Sequence, residues 1–168
     1  IRQIELDSYA DPDGGRYATP LGLARVVQAG LPPVPDPDPT GRLRAPGIKV
    51  MHVPDIDFAS SALTLVDALR RVREWSVKHP RHVPVFIMLE LKEDALGPGF
   101  TQPAPFDQAQ LANLESEIRS VFPREAILTP DDVRGQSATL PEVLRHSGWP
   151  SLDSVRGRVM FGMDNEDA

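Results

Sequence analysis

The sequence predicts an α/β fold, a piece of a TIM-type β/α barrel with about four strands present and the barrel incomplete. Three observations carry this. Short β-branched or apolar runs alternate with helical patterns along the 168 residues, which is how parallel βα units read. The run Val83 to Leu91 is nearly continuous in apolar residues, as a parallel strand covered on both faces is. Each strand run also ends in polar or titratable residues, at the carboxyl end where α/β proteins build their sites. A closed barrel takes eight strands and about 250 residues, so the alternatives are a small open sheet or the middle of a barrel. The abrupt ends at Ile1 and Ala168 favour the middle of a barrel. Residues 1–168 read as a single domain, with 31–46 as a proline-rich loop inside it.

The first strand is Ile1 to Asp7, whose side chains alternate between two faces. Ile4 and Leu6 share one face; Ile1, Gln3, Glu5 and Asp7 share the other. Asp11-Pro12-Asp13-Gly14-Gly15 is a strong turn signal. A helix is expected from Pro20 to Ala29, and the six prolines between Leu31 and Pro46 exclude a helix or a central strand there. Ile48 to Val53 is the second strand. Ser60 or Ser61 is expected to cap a helix whose apolar stripe is Leu65, Val66, Leu69, Val72 and Trp75, stopped by Pro80. After the third strand, a loop over 97–105 leads to a helix carrying Leu111, Leu114, Ile118 and Val121. Thr129-Pro130-Asp131-Asp132 reads as an N-cap, a first-turn proline and dipole-facing acids. A short helix over 139–146 and a fourth strand over 158–163 complete the order.

Bulk properties narrow the function classes. A hydrophobic share of 40% and a charged share of 25% are those of an ordinary globular protein. A net charge of −6 without a basic run argues against nucleic acid and against a polybasic membrane anchor. The absence of cysteine leaves the redox compartment unread. No apolar run approaches the roughly 20 residues of a membrane span; no signal-peptide pattern stands at Ile1, where the chain opens without a methionine and already inside a strand, as a cut that removed any upstream signal would leave it.

The strand ends supply the chemistry. Glu5 and Asp7 lie side by side on one strand face, an arrangement that repels itself unless a cation such as Ca²⁺ or Mg²⁺ sits between them. Taken alone, the pair is better explained by a strand with one solvated face. His52 closes the second strand, with Asp55 and Asp57 beyond it; alone, it reads as a structural histidine, and Asp57 as a cap for the next helix. Glu90 and Lys92 share a face of the third strand with Phe86 and Met88, and Asp164 and Asn165 follow the fourth. Acids, a histidine and a lysine converging on one rim are the clustering expected of a functional site.

These residues fall in strings that resemble phosphoinositide-specific phospholipase C. The strings are Ile4-Glu5-Leu6-Asp7, Lys49-Val50-Met51-His52 and Pro84-Val85-Phe86-Ile87-Met88-Leu89-Glu90. Tyr9 to Gly15, His52 to Phe58 and Thr129 to Gly135 most resemble its calcium-dependent bacterial branch. The resemblance implies part of a barrel of the phospholipase-C-like phosphodiesterase type, with Ca²⁺ as cofactor, held by Glu5, Asp7 and Glu90. It implies cleavage of phosphatidylinositol to diacylglycerol and a cyclic inositol phosphate, at a transient membrane surface. His52 would be catalytic, with Glu5 or Glu90 as proton acceptor and Lys92 facing the substrate phosphate. A secreted or periplasmic location is implied too.

The Glu90-Leu91-Lys92 string also resembles glycerophosphodiester phosphodiesterases, the nearest competing reading. A non-catalytic, calcium-dependent phosphoinositide-binding domain is the rival from another class. The family's first strand carries a His-Asn pair that occurs nowhere in this sequence, so the chain by itself is expected to be inactive. Gly162 and Asp164 stand where eukaryotic members carry lysines, which argues against polyphosphorylated headgroups.

Overall fold

The computed structural model describes residues 2–165. Four strands, β1 (Gln3–Tyr9), β2 (Lys49–Val50), β3 (Val85–Leu91) and β4 (Val159–Met163), form one open sheet in the order β2-β1-β3-β4. The helices are α1 (Leu21–Gln28), α2 (Leu65–Lys78), α3 (Gln108–Val121), α4 (Pro130–Arg134), α5 (Leu140–His146) and α6 (Leu152–Val155). The pairings β1–β3 and β3–β4 are parallel, as the alternating pattern predicts.

The second strand departs from that expectation. Only Lys49–Val50 is strand, and it runs antiparallel to β1, with Tyr9 opposite Lys49 and Ser8 opposite Val50. The long connection after β1 returns the chain to the end of β1 that it left, so the chain must run back along it. Its other side is used as well, with the Val50 amide donating to Leu63 O and the Leu65 amide to Ile48 O.

One face of the sheet carries the core. Ile4 and Leu6 of β1, Ile87 and Leu89 of β3 and Val159 of β4 pack with Leu65 and Leu69 of α2, Leu114 of α3 and Phe122 at its end. Fully burying one such side chain is worth about 1.5–3 kcal/mol, and Ile87, Leu69 and Phe122 are all wholly inaccessible. The other face is only partly covered, so burial alternates strictly along β3 despite its apolar composition. On that face the Phe86 ring lies across Gly162 of β4, where a Cβ would come within 2.5 Å of its Cζ.

Several boundaries move for local reasons. β3 begins at Val85 rather than Val83, because Pro84 has no amide to donate to a ladder. α2 is capped by Thr64, whose hydroxyl accepts from the Asp67 amide, while the Ser60 hydroxyl is spent on Ala62. Trp75 leaves the apolar stripe of α2 and stacks on His79 at 4.6 Å. The capping box at Thr129 and Asp132 forms as expected. The sequence reading missed α6 and the short parallel bridge of Ile127 with Val159, which extends the sheet past β4.

Candidate functional site

Parallel pairing sets the site. Glu5 lies opposite Met88 and Asp7 opposite Glu90, so period-two alternation projects Glu5, Asp7 and Glu90 from the same sheet face. One carboxylate oxygen from each of the three lies within 4.8 Å of the other two. Two oxygens on one calcium, each 2.3–2.6 Å from it, are at most about 5 Å apart. The three carboxylates therefore fit a single hard cation, and their all-oxygen chemistry suits Ca²⁺.

Lys92, next on the same face, places Nζ 2.8 Å from Glu90 Oε1 and 4.0 Å from Asp7 Oδ1. The hydrogen bond from Lys92 holds the Glu90 carboxyl below its ordinary range. Burial, reinforced by the Glu90 charge, pushes Asp7 up against the pull of Lys92. Three carboxylates beside one lysine leave the recess with an excess of negative charge, which suits a divalent ion.

His52 sits at the same rim. A pocket of about 200 Å³ is lined by Tyr9, His52, Asp55, Glu90, Lys92 and Phe100, among others. The buried Tyr9 hydroxyl donates to His52 O at 3.1 Å. Burial raises the Tyr9 phenol, and that of its ring neighbour Tyr17 is pushed up to about 12, so both remain neutral donors. His52 Nδ1 lies 2.7 Å from Asp57 Oδ2. Asp57 is therefore a partner of the histidine and not the helix cap that the sequence suggested.

Asp55, between them, is buried at a positive φ of 72°. Its carboxylate accepts from the Leu21 amide at 2.9 Å, the Thr101 amide at 2.6 Å and the Thr101 hydroxyl at 3.1 Å. Asp55 ties α1 and the loop at Thr101 to the turn after His52. The signal for it was the buried polar role of a lone Asp in a turn, which sequence alone does not distinguish from a solvated one. Asn165, expected at the rim, is instead spent on the Leu91 backbone, donating to its carbonyl at 3.1 Å. Asp164 is exposed beside the site.

A parallel strand pair bearing three convergent carboxylates and a lysine, with a histidine at the same rim, defines an α/β protein with a site for a hard divalent cation at the carboxyl end of its parallel strands. Over residues 1–168 the chain matches the family described as phosphoinositide phospholipase C, Ca²⁺-dependent, and it belongs to that family. Its cofactor is accordingly Ca²⁺. Among solved structures, the chain is similar to the calcium-dependent phosphoinositol-specific phospholipase C from a Gram-negative bacterium, Pseudomonas sp, in its apo form. That match has 20% identity and a TM-score of 0.60, covering 99% of this chain and 48% of the other. A second structure of that enzyme, described as a myoinositol complex, gives 19% identity and a TM-score of 0.59, covering 97% and 48%. The Ca²⁺-dependent phosphatidylinositol-specific phospholipase C from Streptomyces antibioticus gives 21% and 0.54, covering 96% and 44%. The chain thus spans about half the length of these enzymes and shares their fold over that half. No curated protein sequence matches it.

Proposed function

We propose that this chain carries the metal-binding and acid part of a Ca²⁺-dependent phosphodiesterase acting on phosphatidylinositol. The observation that carries the reading is the convergence of Glu5, Asp7 and Glu90 on one point, at a rim that also holds His52 and Lys92. Held by those carboxylates, Ca²⁺ would favour ionisation of the inositol 2-hydroxyl and neutralise charge on the phosphoryl oxygens. Glu5 or Glu90 accepts the proton of that hydroxyl. Its oxygen forms a bond to phosphorus as the bond to the glycerol oxygen breaks. The His52 imidazolium donates a proton to the departing oxygen, releasing diacylglycerol and leaving a 1,2-cyclic inositol phosphate. Lys92 places a point charge by a phosphate oxygen. Water then opens the cyclic product.

The myoinositol complex described for the Pseudomonas enzyme supports an inositol headgroup. The low positive charge of the rim supports one without extra phosphates. No His-Asn pair occurs in the 168 residues, so the chain alone is proposed to bind Ca²⁺ without turning over. A weak calcium site would suit work outside the cytoplasm, on a membrane surface touched transiently.

The test uses the full-length protein with phosphatidylinositol vesicles, following products by phosphorus NMR. A cyclic inositol phosphate formed with Ca²⁺ and abolished by a calcium chelator is the expected result. Release of glycerol phosphate from a soluble glycerophosphodiester, with phosphatidylinositol untouched, would move the assignment to the glycerophosphodiester enzymes. Calcium-dependent vesicle binding without any product would make the protein a binding domain.

A further inference from the structure

We propose that Asp57 is a positioning residue for His52, and that the Asp55-anchored turn exists to hold it there. The inference rests on the reading of His52 as the proton donor to the leaving group. A histidine in that role needs one nitrogen fixed so that the other faces the departing oxygen, and a hydrogen bond at one ring nitrogen decides which carries the proton. His52 Nδ1 and Asp57 Oδ2 are 2.7 Å apart, within the range of charge-assisted bonds. That contact leaves Nε2 as the free nitrogen.

The pairing is not an accident of two flexible side chains meeting on the surface. Both are more than half exposed, and exposed pairs of that kind usually contribute little. Here the backbone brings them together. Val53 and Asp57 exchange both amide hydrogen bonds, at 3.1 and 2.9 Å, closing a tight turn directly after His52. The turn requires Asp55 at φ 72°, a conformation disfavoured for residues other than glycine and tolerated by aspartate. Three hydrogen bonds to the buried Asp55 carboxylate hold it in that state. Its carbonyl also accepts from the Gly22 amide at 2.7 Å, an approach so close that a Cβ on Gly22 would lie 2.5 Å from that oxygen. At the other side of the histidine, Tyr9 fixes the His52 carbonyl. The chain before and after the imidazole is pinned, and Asp57 is delivered to Nδ1 by the pinning.

The test uses the full-length protein and two substrates, phosphatidylinositol and an inositol phosphodiester with a phenolate leaving group. Asp57→Asn keeps size and turn geometry while removing the charge; Asp57→Ala removes the contact. Both are expected to lower kcat on phosphatidylinositol by about 10- to 100-fold, as loss of an orienting partner does, with KM little changed. The phenolate substrate needs no proton from His52 and should recover most of that loss. Nitrogen-15 NMR supplies a readout apart from activity. Neutral His52 is expected to carry its proton on Nδ1 in the wild type and to lose that preference in Asp57→Ala. Equal losses on both substrates, or a wild-type proton on Nε2, would overturn the inference. A wild-type enzyme that cleaves phosphatidylinositol while Asp57→Ala matches it overturns this inference alone. A wild type that cleaves neither substrate overturns it together with the proposed function.

Discussion

Asp7 and Glu90 are direct neighbours across two parallel strands, and the Lys92 ammonium 2.8 Å from Glu90 tempers their repulsion. Calcium should therefore bind, but with the affinity of a reduced ligand set. Calorimetry is expected to give a dissociation constant on the order of 0.1–1 mM, the range of extracellular modules. Asp7→Asn should weaken it at least about tenfold, because ligand charge sets affinity in all-oxygen sites. No heat up to about 10 mM Ca²⁺, well above that range, on demonstrably folded protein would reject the site. His52 is not a ligand in this scheme, so His52→Ala in the full-length protein should leave calcium affinity unchanged. It should slow phosphatidylinositol cleavage by roughly 10²–10⁴, the usual worth of a general acid. A phenolate leaving group should restore most of that rate. Equal slowing of both substrates would return His52 to the structural role that it could have held by itself.

Single elements are held by polar staples that can be tested without turnover. Asp132 closes the capping box of α4 and takes two hydrogen bonds from Arg124, at 2.7 and 3.0 Å. The Arg124 bond holds its carboxyl far below the ordinary carboxylate range. A group depressed in the folded state contributes stability that is present above its unfolded pKa of about 3.9 and fades as pH falls through the folded value. Asp132→Asn is expected to cost about 1 kcal/mol at pH 7, the worth of a cap, or about 2–4 °C in melting temperature. Melts in an acid series should show that deficit shrinking below about pH 4. A deficit constant down to the most acid point would show that shape rather than charge carries the effect. In the sheet, Gly162→Ala should drive the Phe86 ring off β4 and cost about 1–3 kcal/mol by overpacking. A denaturant midpoint at the wild-type value would mean that the ring has room to move.

At the scale of the molecule, the sheet is open and one of its faces is thinly covered. β4 meets Ile127 only at Val159, which leaves Phe161 to Met163 with backbone free on that edge among the described residues. Exposed edges template further pairing, and the enzymes that share this fold have about twice its length. Prepared by itself, the 168-residue chain is expected to associate as concentration rises, or to melt below the usual range of mesophilic domains. Sedimentation showing a monomer at all concentrations, with a cooperative melt above about 60 °C, would mean that the edge is closed off in solution.

The parallel β1–β3 pair, α2, α3 and the Thr129 cap were legible in the sequence because each rests on local physics: alternation, helical spacing, a hydroxyl before a proline. So was the shared face of Glu5, Asp7, Glu90 and Lys92, since alternation fixes a side chain's face once its strand is known, whereas His52 reaches the same rim from a bend beyond the two-residue β2. Tertiary structure decided what two distant segments do to one another. It turned β2 antiparallel, because only the path of the proline-rich connection sets the direction of return. It moved the α2 cap from the serines to Thr64, because the Ser60 hydroxyl already had a partner in Ala62. It gave Asp55 and Asp57 their roles, since a carboxylate in a turn looks the same in sequence whether it faces water or Leu21 and Thr101. The chain's alternation aims its acids at a rim; only packing across 34 and 46 residues of separation holds the turn that brings Asp57 to the histidine.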